Sequence, residues 1–168
     1  MRQLKGAYEA FWYQQLDRDT SKATSKGGNK LRSYRKVKQC FQMEPYLESI
    51  DNSAHRKNVT QLRLSAHRLN IEALRGTVTN PSMRKCTRCN LNETEDEEHF
   101  LLQCSAYSDF RSEFTQIVEQ TYPNVRHFNN AQWFIFILTV EDKPTCKALG
   151  KFLSSCMIRR YQSDPSVV

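Results

Sequence analysis

The chain has 168 residues, with 25 Lys and Arg against 18 Asp and Glu, and 39% of its residues are apolar. This length and composition predict one globular domain and exclude collagen-like and low-complexity chains. The longest apolar run, WFIFIL at 133–138, is far shorter than the roughly 18 residues of a membrane span. The first 20 residues carry charges and no apolar segment typical of a secretory signal, so we expect an intracellular protein, nuclear or cytoplasmic, that is not secreted.

The charge is unevenly distributed along the chain. Residues 1–90 contain 18 basic and 7 acidic side chains, residues 91–120 contain 1 and 8, and residues 121–168 contain 6 and 3. Basic charge concentrated in one half attracts polyanions, of which nucleic acid is the commonest inside cells. A solvated basic surface without a phosphate partner explains the same distribution, so both interpretations stay open.

The first 80 residues predict three helices. Apolar side chains at three- and four-residue spacing predict a first helix from Arg2 to Asp17, and the small and polar residues 20–29 predict a flexible linker. A basic amphipathic helix follows from about residue 30 and ends before Pro45. A third helix is expected from about Ala54, with Gly76 as its left-handed C-terminal stop.

The second half of the chain also predicts helices. We expect one over residues 105–122, and the run at 133–140 fits either a short strand or a buried helix, with the flanking patterns favouring the helix. Asp142 has the features of the N-cap of a last helix. No β-hairpin is expected, so the predicted fold is mainly α-helical with an embedded zinc-knuckle-like module. Its segments are 1–29 (N-terminal helix and linker), 30–80 (basic helical segment), 81–123 (zinc-binding module and following helix) and 124–168 (C-terminal helical segment).

Four residues have the spacing of a zinc site. Cys86, Cys89, His99 and Cys104 follow the pattern C-x2-C-x9-H-x4-C, and three thiolates with one imidazole fill a tetrahedral zinc coordination sphere. Because no position is left for water, we expect one structural Zn²⁺ and no metal catalysis. Chance clustering of buried thiols is the alternative. The remaining cysteines, Cys40, Cys146 and Cys156, are predicted to be core residues.

Helix geometry makes a sharper prediction about this site. On an ideal α-helix, residues five apart differ by about 140° in direction and about 7.5 Å in height, so His99 and Cys104 cannot share one ion unless the helix is interrupted near residues 102–105. We expect Ser105 to cap the following helix. Thr94 and Glu97 form a predicted capping box, and Asn90 is expected in a left-handed conformation. His67 is interpreted as a packed or capping side chain.

With these features the chain resembles the C-terminal region of non-LTR (LINE-type) retrotransposon reverse transcriptases, over about residues 10–160. The segments that carry the resemblance are KLRSYRKVK at 30–38, LRLSAHRLNIE at 62–72, CTRCN at 86–90, EDEEHFLLQCSAYSDFR at 95–111 and FIFIL at 134–138. The resemblance implies a module that holds RNA or DNA, with Cys86, Cys89, His99 and Cys104 as zinc ligands. Ser105 and Asn90 depart from the family pattern, which often has proline and glycine there.

The functional predictions rest on both the charge pattern and the resemblance. The chain contains no Asp-Asp pair of the polymerase palm, so we expect a tail or remnant that is not itself an enzyme. The main hypothesis is nucleic-acid binding, RNA or DNA, without a membrane. The alternative is a zinc-stabilised protein-interaction module that docks a partner through Trp133 and Phe134. The predicted nucleic-acid contacts are Lys30, Arg32, Arg35, Lys36, Lys38, Arg63, Arg68, Lys85 and Arg88.

Overall fold

The computed structural model describes residues 2–21, 29–38 and 40–162. These residues are mainly helical, as predicted, and an isolated antiparallel bridge joins Lys85 to Thr94. The α-helices are α1 (Arg2–Ser21), α2 (Arg32–Val37), α3 (Tyr46–Ser49), α4 (Ser53–Arg63), α5 (Asn70–Ala73), α6 (Ser108–Thr121), α7 (Asn130–Thr139) and α8 (Lys143–Gln162). Three 3₁₀ turns, Pro81–Met83, Ser105–Tyr107 and Pro123–His127, and a π-helical segment, His99–Gln103, complete the described elements.

Helix α8 is the centre of the packing. It contacts α3, α4 and α6, while α7 packs against α2 and the π-helical segment. The buried side chains form one apolar cluster that runs from Val37 to Met157 and draws on three of the predicted segments. Gly150 lies where α8 crosses α4, and a Cβ atom at that position would be 2.8 Å from the Cβ of His55. The glycine therefore permits a close approach of the two helices.

Side-chain caps fix the starts of helices α4, α7 and α8. Asn52 accepts hydrogen bonds from two backbone N–H groups of α4, and Asn129 forms a reciprocal capping box with Gln132 at α7. Asp142 Oδ1 accepts from the Thr145 N–H at 2.9 Å, which confirms the predicted cap of α8. The helix predicted for residues 133–140 is also confirmed, as α7.

The third predicted helix is wrong in its extent. It ends at Arg63, and Ser65 has a left-handed backbone with φ 50°, after which the short α5 begins at Asn70. Side-chain chemistry outweighs helix periodicity here, because Ser65 and His67 turn inward to bind the buried carboxylate of Glu97. Gly76 does not adopt the expected left-handed conformation.

The predicted second helix is shorter than expected, and α1 is longer. Helix α2 ends at Val37, and α1 continues to Ser21, while residues 22–28 of the predicted linker lie outside the described residues. Asp19 joins the two helices: its carboxylate accepts from the Lys30 N–H at 3.0 Å and the Leu31 N–H at 2.9 Å. These hydrogen bonds hold the C-terminal part of α1 next to the start of α2.

The cysteines outside the predicted zinc site differ in burial. Cys146 and Cys156 are buried in the core, as predicted, whereas Cys40 is exposed, so its assignment to the core was wrong. Cys40 follows the end of α2, and the early end of that helix removes it from the buried face. Every helix in the described part of the chain is too short or too polar to span a lipid bilayer.

Candidate metal centre

A tight reversal of the chain positions the first two cysteines. The Cys86 N–H donates to the Glu93 carbonyl at 2.8 Å, and the Arg88 N–H donates to Cys86 Sγ at 3.4 Å. The left-handed residue that allows the reversal is Asn92, with φ 53°, and not Asn90 as expected. Backbone donors thus organise the loop around the Cys86 sulfur.

A π-helical turn positions the other two ligands. The Cys104 N–H donates to the His99 carbonyl at 2.8 Å, so residues 99–104 form one wide turn. This turn brings His99 and Cys104 to the same side, which an α-helix would not do. The helix ends at Cys104, which confirms the predicted interruption, but the Ser105 side chain does not cap the next helical turn.

Neighbouring side chains hold this segment at both ends. Asp96 Oδ1 accepts from the His99 N–H at 2.8 Å, so Asp96 caps the helix. The predicted capping box is wrong, because Thr94 donates to the Ser82 carbonyl and Glu97 points inward. At the other end, Arg111 of α6 donates to the Leu101 and Cys104 carbonyls, each at 2.7 Å. The guanidinium group satisfies carbonyls that the end of the helix leaves free.

The four predicted ligand side chains converge on one point. Their donor atoms all lie within 4.8 Å of one another. Cys86 Sγ is 3.8 Å from Cys104 Sγ, and Cys89 Sγ is 3.4 Å from His99 Nε2. Ligand bonds of about 2.3 Å to sulfur in a tetrahedron separate the sulfurs by about 3.8 Å. The cluster can therefore bind a metal ion.

Hydrogen bonds within the cluster redistribute the protons of its ligands. The hydrogen bond with Cys104 lowers the pKa of Cys86 to about 3, although burial opposes this shift. The same contact, together with burial, raises the pKa of Cys104, and the contact with Cys86 raises the pKa of His99. A bound cation would displace these protons and favour the thiolates and the neutral imidazole.

A buried carboxylate next to the cluster ties it to distant helices. Glu95 is fully buried, with one oxygen 3.9 Å from Cys86 Sγ. Its other oxygen accepts from the Asn70 N–H at 2.7 Å and from Arg160 Nη2 at 2.8 Å. Burial raises the pKa of Glu95, and the positive charge of Arg160 opposes that shift. The loop of Cys86 is thereby fixed to α5 and to the last turns of α8.

A second buried carboxylate gathers three polar side chains behind the cluster. Glu97 accepts a hydrogen bond from Ser65 Oγ at 2.6 Å, and its carboxylate lies 2.8 Å from His67 Nε2 and 2.7 Å from Arg32 Nη2. Burial alone would raise the pKa of Glu97, but His67 and the charge of Arg32 lower it to about 2. The interpretation of His67 as a packed side chain is confirmed.

Four of the nine predicted nucleic-acid contacts are held in internal ion pairs. Arg32 binds Glu72 and Glu97, and Arg35 binds Asp19. Lys38 and Arg63 both bind Glu44, and Arg63 is only 2% exposed. These side chains neutralise carboxylates of the protein itself, and Lys38 and Arg63 are buried.

The other five predicted contacts lie at or near the surface. Lys30, Lys36 and Arg68 are exposed, and Lys85 and Arg88 are half-buried on either side of Cys86. For the alternative function, Phe134 is buried and Trp133 is half-buried, so Phe134 does not form the docking surface expected of it.

Two basic features escaped the sequence-based predictions. An open groove of about 500 Å³ is lined by Ala54, Lys57, Asn58, Gln61, Arg68 and Tyr161. Arg159 and Arg160, in the last turn of α8, line a second pocket together with Thr87 and Arg88 of the loop between Cys86 and Cys89. The adjacent arginines in the last turn of a helix were the available signal, but nothing in the sequence placed them beside residues 86–89.

No family model matches the chain, and comparisons with curated proteins and with solved structures found no match either.

Proposed function

We propose that the chain is a helical module that one structural Zn²⁺ stabilises and that binds nucleic acid, in the manner of the LINE-type region it resembles, without polymerase chemistry of its own. The observation that carries the proposal is the convergence of three thiols and one imidazole within 4.8 Å. Sulfur-rich donor sets favour zinc over magnesium or calcium, which take oxygen ligands. Four protein ligands leave no open position, so the ion holds the loop and the π-helical turn in place.

The first experiment measures the metal. Protein purified without added metal is expected to contain one zinc per chain, and Cys89→Ser is expected to lose it, because three remaining ligands bind zinc much more weakly. Cys40→Ser is the matched control, since Cys40 is exposed and outside the cluster. Equal zinc content in both variants, or wild-type protein without zinc, would contradict the assignment.

Nucleic-acid binding is supported by the charge of the chain and by the cations that stay at the surface. The net charge of the chain is +7. Three of the predicted phosphate contacts remain exposed, namely Lys30, Lys36 and Arg68.

The second experiment measures the salt dependence of binding to single-stranded RNA and DNA. Replacing Lys30, Lys36 and Arg68 by Gln is expected to flatten the slope of log affinity against log salt by up to about 2, since each lost contact on a single strand removes about 0.7. The matched control replaces Lys143, Lys147 and Lys151 of α8, which removes the same charge.

Each outcome of the salt titration decides a separate point. An equal change of slope in the two triple variants would refute the three assigned contacts. Zinc-loaded protein that binds neither RNA nor DNA at low salt would refute nucleic-acid binding and favour the protein-interaction alternative.

A further inference from the structure

One face of α4 borders the open groove of about 500 Å³, which we call the basic groove. Its lining comes from three places in the chain: Ala54, Lys57, Asn58 and Gln61 from α4, Arg68 from the segment after α4, and Tyr161 from the last turn of α8. The four α4 residues recur at three- and four-residue spacing, so they share one side of the helix. The volume falls within the roughly 300–1,000 Å³ typical of ligand sites in proteins.

The two cations of the basic groove have no counter-charge in the described part of the chain. Lys57 and Arg68 are exposed, neither forms an ion pair there, and no Asp or Glu lines the groove. By contrast, four of the predicted phosphate contacts are held by carboxylates of the protein itself. Two exposed cations without an acidic neighbour attract a polyanion such as a phosphate backbone.

Packing fixes the side of the groove that Arg68 and Tyr161 form. His67 and Leu69, the neighbours of Arg68 in the chain, are buried, whereas Arg68 itself is exposed. Arg160, the residue before Tyr161, is 5% exposed, and its Nη2 donates to the Arg68 carbonyl at 3.0 Å. This hydrogen bond ties the segment of Arg68 to the end of α8. A ligand therefore meets a groove that is already formed, which reduces the ordering cost of binding.

An aromatic ring and two carboxamides enable the basic groove to bind a base. Tyr161 is 37% exposed, so its ring is accessible for stacking. Asn58 and Gln61 are half-buried, and their carboxamides form no hydrogen bond within the described residues, so each offers a donor and an acceptor to a base edge. A base stacks on a side chain only when it is outside a duplex, which favours a single strand.

We propose that the basic groove binds one nucleotide of a single-stranded nucleic acid, with its base stacked on Tyr161 and the flanking phosphates paired with Lys57 and Arg68. The proposal rests on the proposed function and adds to it the place of the strand and the need for an unpaired base. An acidic peptide would meet the same two cations, but a run of carboxylates offers no planar ring for Tyr161 to stack on.

The test uses the zinc-loaded full chain and measures the binding of fluorescent oligouridine, a mixed-sequence DNA duplex and polyglutamate by anisotropy. Tyr161→Leu is expected to weaken oligouridine binding about tenfold, because it removes the stacking surface, and to leave duplex binding unchanged. Lys57→Gln is expected to flatten the slope of log affinity against log salt for oligouridine by about 0.7, the value for one lost phosphate contact on a single strand.

Each variant has a matched control. Tyr8→Leu removes a tyrosine of α1 that is 65% exposed. Lys151→Gln removes an exposed lysine of α8 that does not line the basic groove. Both controls are expected to bind oligouridine as the wild-type protein does. Because Tyr161 and Lys57 are exposed, their variants are expected to keep the fold, and Lys57→Gln tests the groove by itself if Tyr161→Leu unfolds.

The outcomes separate this proposal from the one on which it rests. Oligouridine binding that is equal in Tyr161→Leu and Tyr8→Leu, or a loss of duplex binding in Tyr161→Leu as large as the loss of oligouridine binding, would overturn the nucleotide site and leave nucleic-acid binding standing. An unchanged salt slope in Lys57→Gln would also overturn the site. Binding of polyglutamate without binding of either nucleic acid at low salt would overturn both proposals.

Discussion

Replacement of Glu97 by Gln tests whether the buried carboxylate behind the metal centre holds the fold together. The Glu97 side chain is 3% exposed and binds Ser65, His67 and Arg32. Removal of its charge leaves Arg32 with Glu72 as its remaining carboxylate partner and replaces the buried acceptor of Ser65 and His67 by an amide, which is expected to cost about 3 kcal/mol, the lower end for a broken buried ion pair. The lowering of its pKa from 4.5 to about 2 corresponds to the same magnitude, about 3 kcal/mol.

The matched control is Glu98→Gln. Glu98 is the next residue, its side chain is 33% exposed, and its paired cation, Lys36, is 4.0 Å away, so we expect a loss below about 1 kcal/mol. Urea denaturation of the zinc-loaded proteins at neutral pH measures both free energies of unfolding, and the thermal midpoint of Glu97→Gln is expected to fall by about 6–12 °C. Equal destabilisation of the two variants, each below about 1 kcal/mol, would refute the reasoning.

Two further predictions concern packing and thiol chemistry. Gly150→Ala is expected to destabilise the protein by about 1–2 kcal/mol despite the better helix propensity of alanine, because the added Cβ would clash with His55. For comparison, a Cβ added in Gly76→Ala meets nothing within 4 Å. Thermal unfolding of both variants checks this, and a stabilised Gly150→Ala would contradict the close approach of α4 and α8. Iodoacetamide is expected to modify the exposed Cys40 in native zinc-loaded protein and to spare the buried Cys156, because burial raises the pKa of Cys156 to about 12. Mass spectrometry of the labelled peptides shows which thiol reacts. Labelling of Cys156 at the same rate as Cys40 would contradict the burial of Cys156.

The sequence by itself determined the helical class and the four side chains that converge as a candidate metal centre. Both depend on short-range regularities: apolar side chains at helical spacing select the helices, and the interval between Cys86 and Cys89 fits the size of a metal coordination sphere. The interruption before Cys104 followed from the same local geometry, because an α-helix cannot bring His99 and Cys104 together. The spacing of the residues did not predict how the helix is interrupted, namely by a π-helical turn that Arg111 holds in place.

The tertiary structure determined which charged side chains are buried and which partners they bind. Arg32 and Arg63 are predicted from the sequence as nucleic-acid contacts and Glu97 as part of a capping box, yet each packs wholly or largely out of solvent against a partner at least 19 residues away in the chain. The break of the third helix at Ser65 has the same origin, since a hydrogen bond to Glu97 compensates for the lost helical turn. Only the folded chain brings Arg159 and Arg160 next to the loop between Cys86 and Cys89. A buried charge needs a counter-charge, and the packing of the helices decides which distant side chain supplies it.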